Sequence, residues 1–206
     1  MAKNYLELLE FLYDQADYFT INISSPNTKG LRSLLEIKAF VNLAGHLQEK
    51  ISALNKQSAQ HKLLFFKLAP DLEPKALADL AKAALDLALD GVILTNSTIM
   101  RPLTLSAKSK QYAGGLSGKP LAALSNQCLK EFTRLSQGKI TIIAVGGIFN
   151  GFDLYQKIRL GATLGQIYSA LIFQGVGVTS KIIAGLERQM LKDGFKNLAE
   201  IRGIDV

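Results

Sequence analysis

Five short apolar runs, each separated from the next by a stretch with helical spacing, narrow the folds open to this chain. The runs are "YFTINIS" (18–24), "KLLFFKLA" (62–69), "GVILTN" (91–96), "ITIIAVGG" (140–147) and "LGQIYSAL" (164–171). Strands that are almost continuously apolar and alternate with helices indicate a parallel sheet covered on its faces. The spacing predicts helices over 4–17, 33–54, 74–91, 120–138, 151–161 and 180–194. The clearest opens with Pro74, where a first-turn proline is tolerated, and is followed by Gly91.

A doubly wound open sheet and a (β/α)8 barrel both satisfy this pattern. Polar groups close nearly every strand: Asn22–Ser25, Lys67, Thr95–Asn96–Ser97, Gly146–Gly147 and Tyr168–Ser169. In a barrel those ends form one common site. In a doubly wound sheet only the ends near the switch point would be functional. The barrel is favoured, but only in part, because closure takes eight strands and about 250 residues. The expected fold is therefore a partial α/β barrel of five βα units, in one domain over residues 1–206. An incomplete sheet leaves unpaired edges at 18–24 and 164–171, which invite self-association or an N-terminal complement.

At 48% hydrophobic and 20% charged, the chain can bury a sizeable core and is not disordered. Its net charge of +7 is spread along helix faces, without an aromatic-basic motif, so nucleic acid is not an expected partner. The one cysteine, Cys128, sits in an amphipathic stretch and reads as a small buried residue. It excludes an internal disulfide and suits a reducing cytoplasm. His46 and His61 lack a metal-ligand spacing.

Lys67 interrupts an apolar strand and needs an anionic partner or a lowered pKa. It could be a Schiff-base amine, a phosphate ligand or the counter-charge of an anionic cofactor ring. The glycine pair at 146–147, with Tyr168 and Ser169 at the next strand end, suits a phosphate. Asn22 and Asn96 suit a ring with C=O and N–H edges, such as a pyrimidine or flavin. With no carboxylate pair at the strand ends, two-acid hydrolysis is disfavoured. Ser25 is left as candidate base or nucleophile, without a neighbouring histidine. The connection 98–119 is long enough for a lid. A Schiff-base aldolase built on Lys67 would leave the Asn and Ser-Pro-Asn groups unexplained.

The segments "TINISSPNTKGLR", "FKLAPDL", "GVILTNST", "GGLSGKPL", "IIAVGGI", "GATLGQIYSAL" and "IRG" resemble dihydroorotate dehydrogenase of the membrane-associated, quinone-using class. The resemblance implies an FMN-containing (β/α)8 barrel that oxidises dihydroorotate to orotate in pyrimidine synthesis. This chain would correspond to strands four to eight, with the first three absent and activity dependent on them. Ser25 would be the base, where the soluble classes carry Cys. Asn22, Asn27, Asn96 and Ser97 would hold orotate, with Ser97 in place of the usual Thr. Asn22, Lys67, Thr95 and Gly118 would contact the flavin, and Gly146, Gly147, Tyr168 and Ser169 its phosphate. The complete enzyme would lie peripheral to the inner membrane. The alternative is a catalytically silent half-barrel that binds phosphate or flavin weakly, or self-associates.

Overall fold

The computed structural model describes residues 2–103 and 105–206. Five strands, β1 (Tyr18–Asn22), β2 (Leu63–Leu68), β3 (Gly91–Leu94), β4 (Thr141–Val145) and β5 (Leu164–Gln166), form one parallel sheet in the order β1-β2-β3-β4-β5. Strand order follows chain order throughout, so the sheet contains no switch point, and the doubly wound alternative is excluded.

The helices are α1 (Ala2–Phe11), α2 (Ile37–Ser58), α3 (Pro74–Asp86), α4 (Ala107–Lys110), α5 (Ala122–Leu135), α6 (Gly151–Arg159), α7 (Ser169–Gln174), α8 (Val178–Lys192) and α9 (Leu198–Ile201). None of the described helices is long and apolar enough to cross a membrane.

The strands divide their side chains between two faces, as a period of two requires. Ile21, Phe66, Val92, Leu94, Ile142 and Ala144 point to the helical layer and join Phe40, Leu43, Leu80, Leu129 and Phe132 in the main core. Phe66 meets Phe40 edge-on, with ring centroids 5.4 Å apart. A buried aromatic of this kind contributes about 2–3 kcal/mol. The opposite face carries a smaller cluster of Phe65, Ile93, Ile143 and Val145. Towards the sheet margins that face opens to solvent, where Tyr18 is 51% and Leu164 55% exposed.

Several element boundaries differ from the sequence reading by a few residues, and the largest differences have local causes. The run 164–171 is strand only to Gln166, and α7 starts at Ser169. Apolar residues over so few positions fit either period equally well. The helix expected to reach Gly91 stops at Asp86, because Ala88 turns into the left-handed region at φ 48°. The long connection 98–119 is not bare loop. It contains α4 and an antiparallel bridge that pairs Thr98 with Leu116.

Candidate functional site

The C-terminal ends of the strands surround a cavity of about 270 Å³. In parallel register Asn22 lies beside Lys67, and Lys67 beside Ile93, so the chemistry-bearing ends are neighbours by construction.

The rim over β1–β3 is an amide network. Asn96 donates from Nδ2 to Asn22 Oδ1 and to Ser24 Oγ, both at 3.0 Å. Its Oδ1 accepts the Ser97 N–H at 2.8 Å. Both protons of the amide are thereby used, which fixes its orientation. Ser24 is fully buried and donates in turn to the Lys67 carbonyl at 2.6 Å. Asn27 crosses to the 98–119 segment, its Oδ1 accepting the Gly115 N–H at 3.1 Å.

Beneath this rim an ion pair ties three strand-end loops together. Arg32 donates to the Ser24 carbonyl (3.1 Å), the Ser97 carbonyl (3.0 Å) and Asp71 Oδ2 (2.9 Å). Asp71 also accepts from the Ile99 N–H at 3.1 Å and from the Thr98 hydroxyl. Arg101 braces the segment after β3 by donating to the carbonyls of Tyr112 (3.0 Å) and Gly114 (2.6 Å).

Lys67 reaches the cavity from the penultimate residue of β2. Among the described residues no carboxylate lies within ion-pair distance of it. Burial lowers its pKa from the usual lysine value, because losing water penalises the charged form. A cation in that state is ready to accept an anionic neighbour.

The far end of the cavity is built from backbone turns and hydroxyls. Gly118, Gly146 and Gly147 line it together with Tyr168 and Ser169. The Ser117 and Ser169 hydroxyls are 3.0 Å apart. Turns of this type let a ligand approach main-chain N–H groups closely.

The structure brings Asn27, Lys67, Thr95, Asn96, Ser97, Gly118, Gly146, Gly147, Tyr168 and Ser169 into one cavity wall. Asn22 and Ser25 stand just outside it. Asn22 is joined to the wall through Asn96, and Ser25 lies in the turn below the rim, its Oγ accepting the Asn27 N–H at 3.3 Å. Cys128 is buried in α5, away from the cavity lining, and burial pushes its thiol up to about 12. Sequence reasoning grouped Ser24 with the polar strand ends without giving it a role, and missed Arg32, Asp71, Thr98 and Arg101.

The donor set fits a phosphorylated, planar heterocycle. A cation and neutral amides occupy one end, and glycine turns with hydroxyls occupy the other. The family model described as dihydroorotate dehydrogenase matches residues 1–190. A dihydroorotate dehydrogenase (quinone) of Xanthobacter autotrophicus is 46% identical over 191 residues, covering 93% of this chain and 54% of that protein. The mitochondrial dihydroorotate dehydrogenase (quinone) of Mus musculus is 40% identical over 204 residues, covering 99% of this chain and 51% of the relative.

A crystal structure of DHODH from Eimeria tenella in complex with ferulenol superposes with a TM-score of 0.94 at 35% identity, over 99% of this chain and 58% of that one. The chain thus spans about half the length of the curated relatives it matches. Its five-stranded sheet is part of the TIM barrel of those neighbours. Matched along nearly all of its length, the chain belongs to the dihydroorotate dehydrogenase family.

Proposed function

We propose that this chain forms the FMN- and substrate-binding part of a quinone-dependent dihydroorotate dehydrogenase, oxidising dihydroorotate to orotate in pyrimidine biosynthesis, and that residues 1–206 act as one unit within that barrel. The observation that carries this reading is the convergence of Lys67, the neutral amides and the glycine-serine turns on one cavity. Bound FMN would supply the acceptor for the hydride leaving C6 of the substrate and the route for those electrons to quinone.

The chain's own residues do the rest. Asn96, its amide locked by Asn22, Ser24 and Ser97, presents a fixed edge to the pyrimidine ring. Asn22, Asn27 and Ser97 complete that grip. Ser25 would take the proton from C5 at its Oγ and pass the hydroxyl's own proton to solvent. Lys67 would be the residue to balance negative charge on the reduced flavin ring, since it brings a cation, unpaired among the described residues, into the cavity wall. Thr95 and Gly118 support the ring, and Gly146, Gly147, Tyr168 and Ser169 hold the phosphate. Catalysis calls on the further strands that complete the barrel, since preorganisation requires the whole wall. In the complete enzyme the site lies peripheral to the inner membrane, facing the cytoplasm.

An FMN titration of the purified chain, followed by flavin fluorescence and visible absorption, tests the reading. Saturable stoichiometric binding is expected, and dihydroorotate-driven bleaching would then report on chemistry. Absence of binding would remove the flavin site from this chain.

A second reading rests on the sheet margins. Among the described residues β1 and β5 are each paired on one side only, with Tyr18 and Leu164 exposed beside the open edges. Such edges favour pairing with another chain. Size-exclusion chromatography is expected to show species larger than the monomer, and a stable monomer at high concentration would count against self-association.

A further inference from the structure

Behind the glycine turn, on the side away from the cavity, lies a buried cation to which the proposed chemistry assigns no part. Lys157 on α6 is 1% exposed, among the most buried side chains of the protein. Its Nζ donates to Ser125 Oγ on α5 at 2.7 Å. Ser125, itself fully buried, donates to the Val145 carbonyl at 2.9 Å. The same carbonyl accepts the Thr95 N–H at 2.9 Å, so the chain of bonds ends where β3 and β4 deliver their site residues. Ser125 Oγ also lies 3.1 Å from the place a Cβ on Gly146 would occupy. Val145 directly precedes Gly146, so the ammonium is two hydrogen bonds from the strand end that leads into the turn lining the cavity.

Burial of a cation is costly unless an anion compensates it. Among the described residues Lys157 makes no ion pair, and its hydrogen-bond partner is a neutral hydroxyl. The position is explained if the compensating anion arrives with the ligand on the other side of the turn. Its field crosses little water on the way, so a unit charge there acts with a low effective dielectric.

We propose that Lys157 is a positioning residue for the phosphate. Through Ser125 it fixes the Gly146 turn, and its charge favours a dianion bound at that turn from the cavity side. This rests on the FMN reading above and adds a residue that never touches the ligand.

The test compares FMN with riboflavin, which has the same ring and lacks the phosphate, on the full chain. Wild type is expected to prefer FMN. Lys157→Met, which keeps the aliphatic length and drops the charge, is expected to weaken FMN binding about tenfold. Riboflavin binding should be unchanged, and Lys157→Arg should restore part of the preference for FMN.

A pH series on wild type gives a second readout that needs no folded variant. Burial brings the Lys157 pKa down to about 8. The titratable groups acting on it are Cys128 of α5, pushed up to about 12 and so neutral here, and Asp153 of α6, held in the helix cap. No such group on β5, α8 or α9, which also contact α6, acts on it. The phosphate is already dianionic above pH 7. FMN affinity should thus fall as pH rises from 7 to 9.5, because the ammonium that the dianion favours is lost. The riboflavin series subtracts any titration of Lys67 at the ring end.

Equal loss for both flavins, or an FMN preference that persists in Lys157→Met, overturns the role of Lys157 while leaving the site intact. An FMN-to-riboflavin ratio constant across the pH range does the same if the variant does not fold. A wild type without preference for FMN overturns the phosphate site and this inference together.

Discussion

Replacing Arg32 by Ala is expected to cost about 2–4 kcal/mol of stability and to loosen three loops of the site together. The guanidinium spends its donors on Ser24, Ser97 and Asp71, which belong to the loops after β1, β3 and β2. Asp71 is only 9% exposed at its side chain, against 24% for Arg32. Removing the arginine leaves that carboxylate buried and short of a partner, and breaking a buried pair costs about 3–5 kcal/mol. The partial exposure of Arg32 lowers the expected figure. Urea unfolding should show the loss, and amide exchange should quicken at Ile99, whose N–H donates to Asp71.

A double-mutant cycle with Asp71→Ala should return a coupling of about 1–3 kcal/mol, as contacting charged residues do. Unchanged stability and unchanged exchange in Arg32→Ala would mean the loops hold themselves.

The second large effect belongs to Gly147→Ala. Its φ of +80° is one that L side chains rarely adopt, and a Cβ there would sit 2.3 Å from Ala122 Cβ and 2.5 Å from Ala122 Cα. Ala122 is the first residue of α5, so the clash falls on a helix start that cannot rotate aside as a long side chain would. The left-handed backbone costs about 1–2 kcal/mol, and overpacking adds about 1–3 kcal/mol. A loss of about 3–4 kcal/mol is expected, with FMN binding abolished, because relief of the clash must move the turn or the helix.

Gly138→Ala is the matched control. It has a φ of +65° and no atom within 4 Å of its would-be Cβ. It should show the backbone cost alone and keep FMN binding. Equal thermal shifts in the two variants would show that the Gly147–Ala122 contact has slack.

The sheet was legible because its strands are short, dense in branched apolar residues and bounded by glycine, proline or polar groups. Pro74 and the Ala-Leu pattern likewise announced α3. Local cues failed where two periods fit the same residues, as in "IYSAL", where the strand ends and α7 begins. The start of α6 at Gly151 agrees with the expected 151–161 helix, and the reciprocal cap of Asn150 with Asp153 supplies its physical reason.

The rim of the site could be read from residue type and place alone. Asn22, Lys67, Thr95 and Asn96 stand at strand ends, and parallel pairing in chain order sets those ends side by side. The brace and the buried lysine could not. Arg32 meets Asp71 across 39 positions, and Lys157 meets Ser125 across 32.

By itself, then, the sequence determined the parallel α/β class, the polar strand ends that line one cavity and the family to which the motifs belong. The class depends on residue periodicity and local turn preference, which act over a few positions, and the family on the likeness of several motif segments. The tertiary structure alone decided which side chains meet: Asn96 with Asn22 and Ser24, three loops with Arg32 and Asp71, and the Val145 carbonyl with Ser125, which Lys157 holds in turn. Hydrogen bonds are directional and short-ranged, and an ion pair needs its two charges brought to within a few ångströms. Their partners are therefore set by how helices and strands dock, and not by any pattern along the chain.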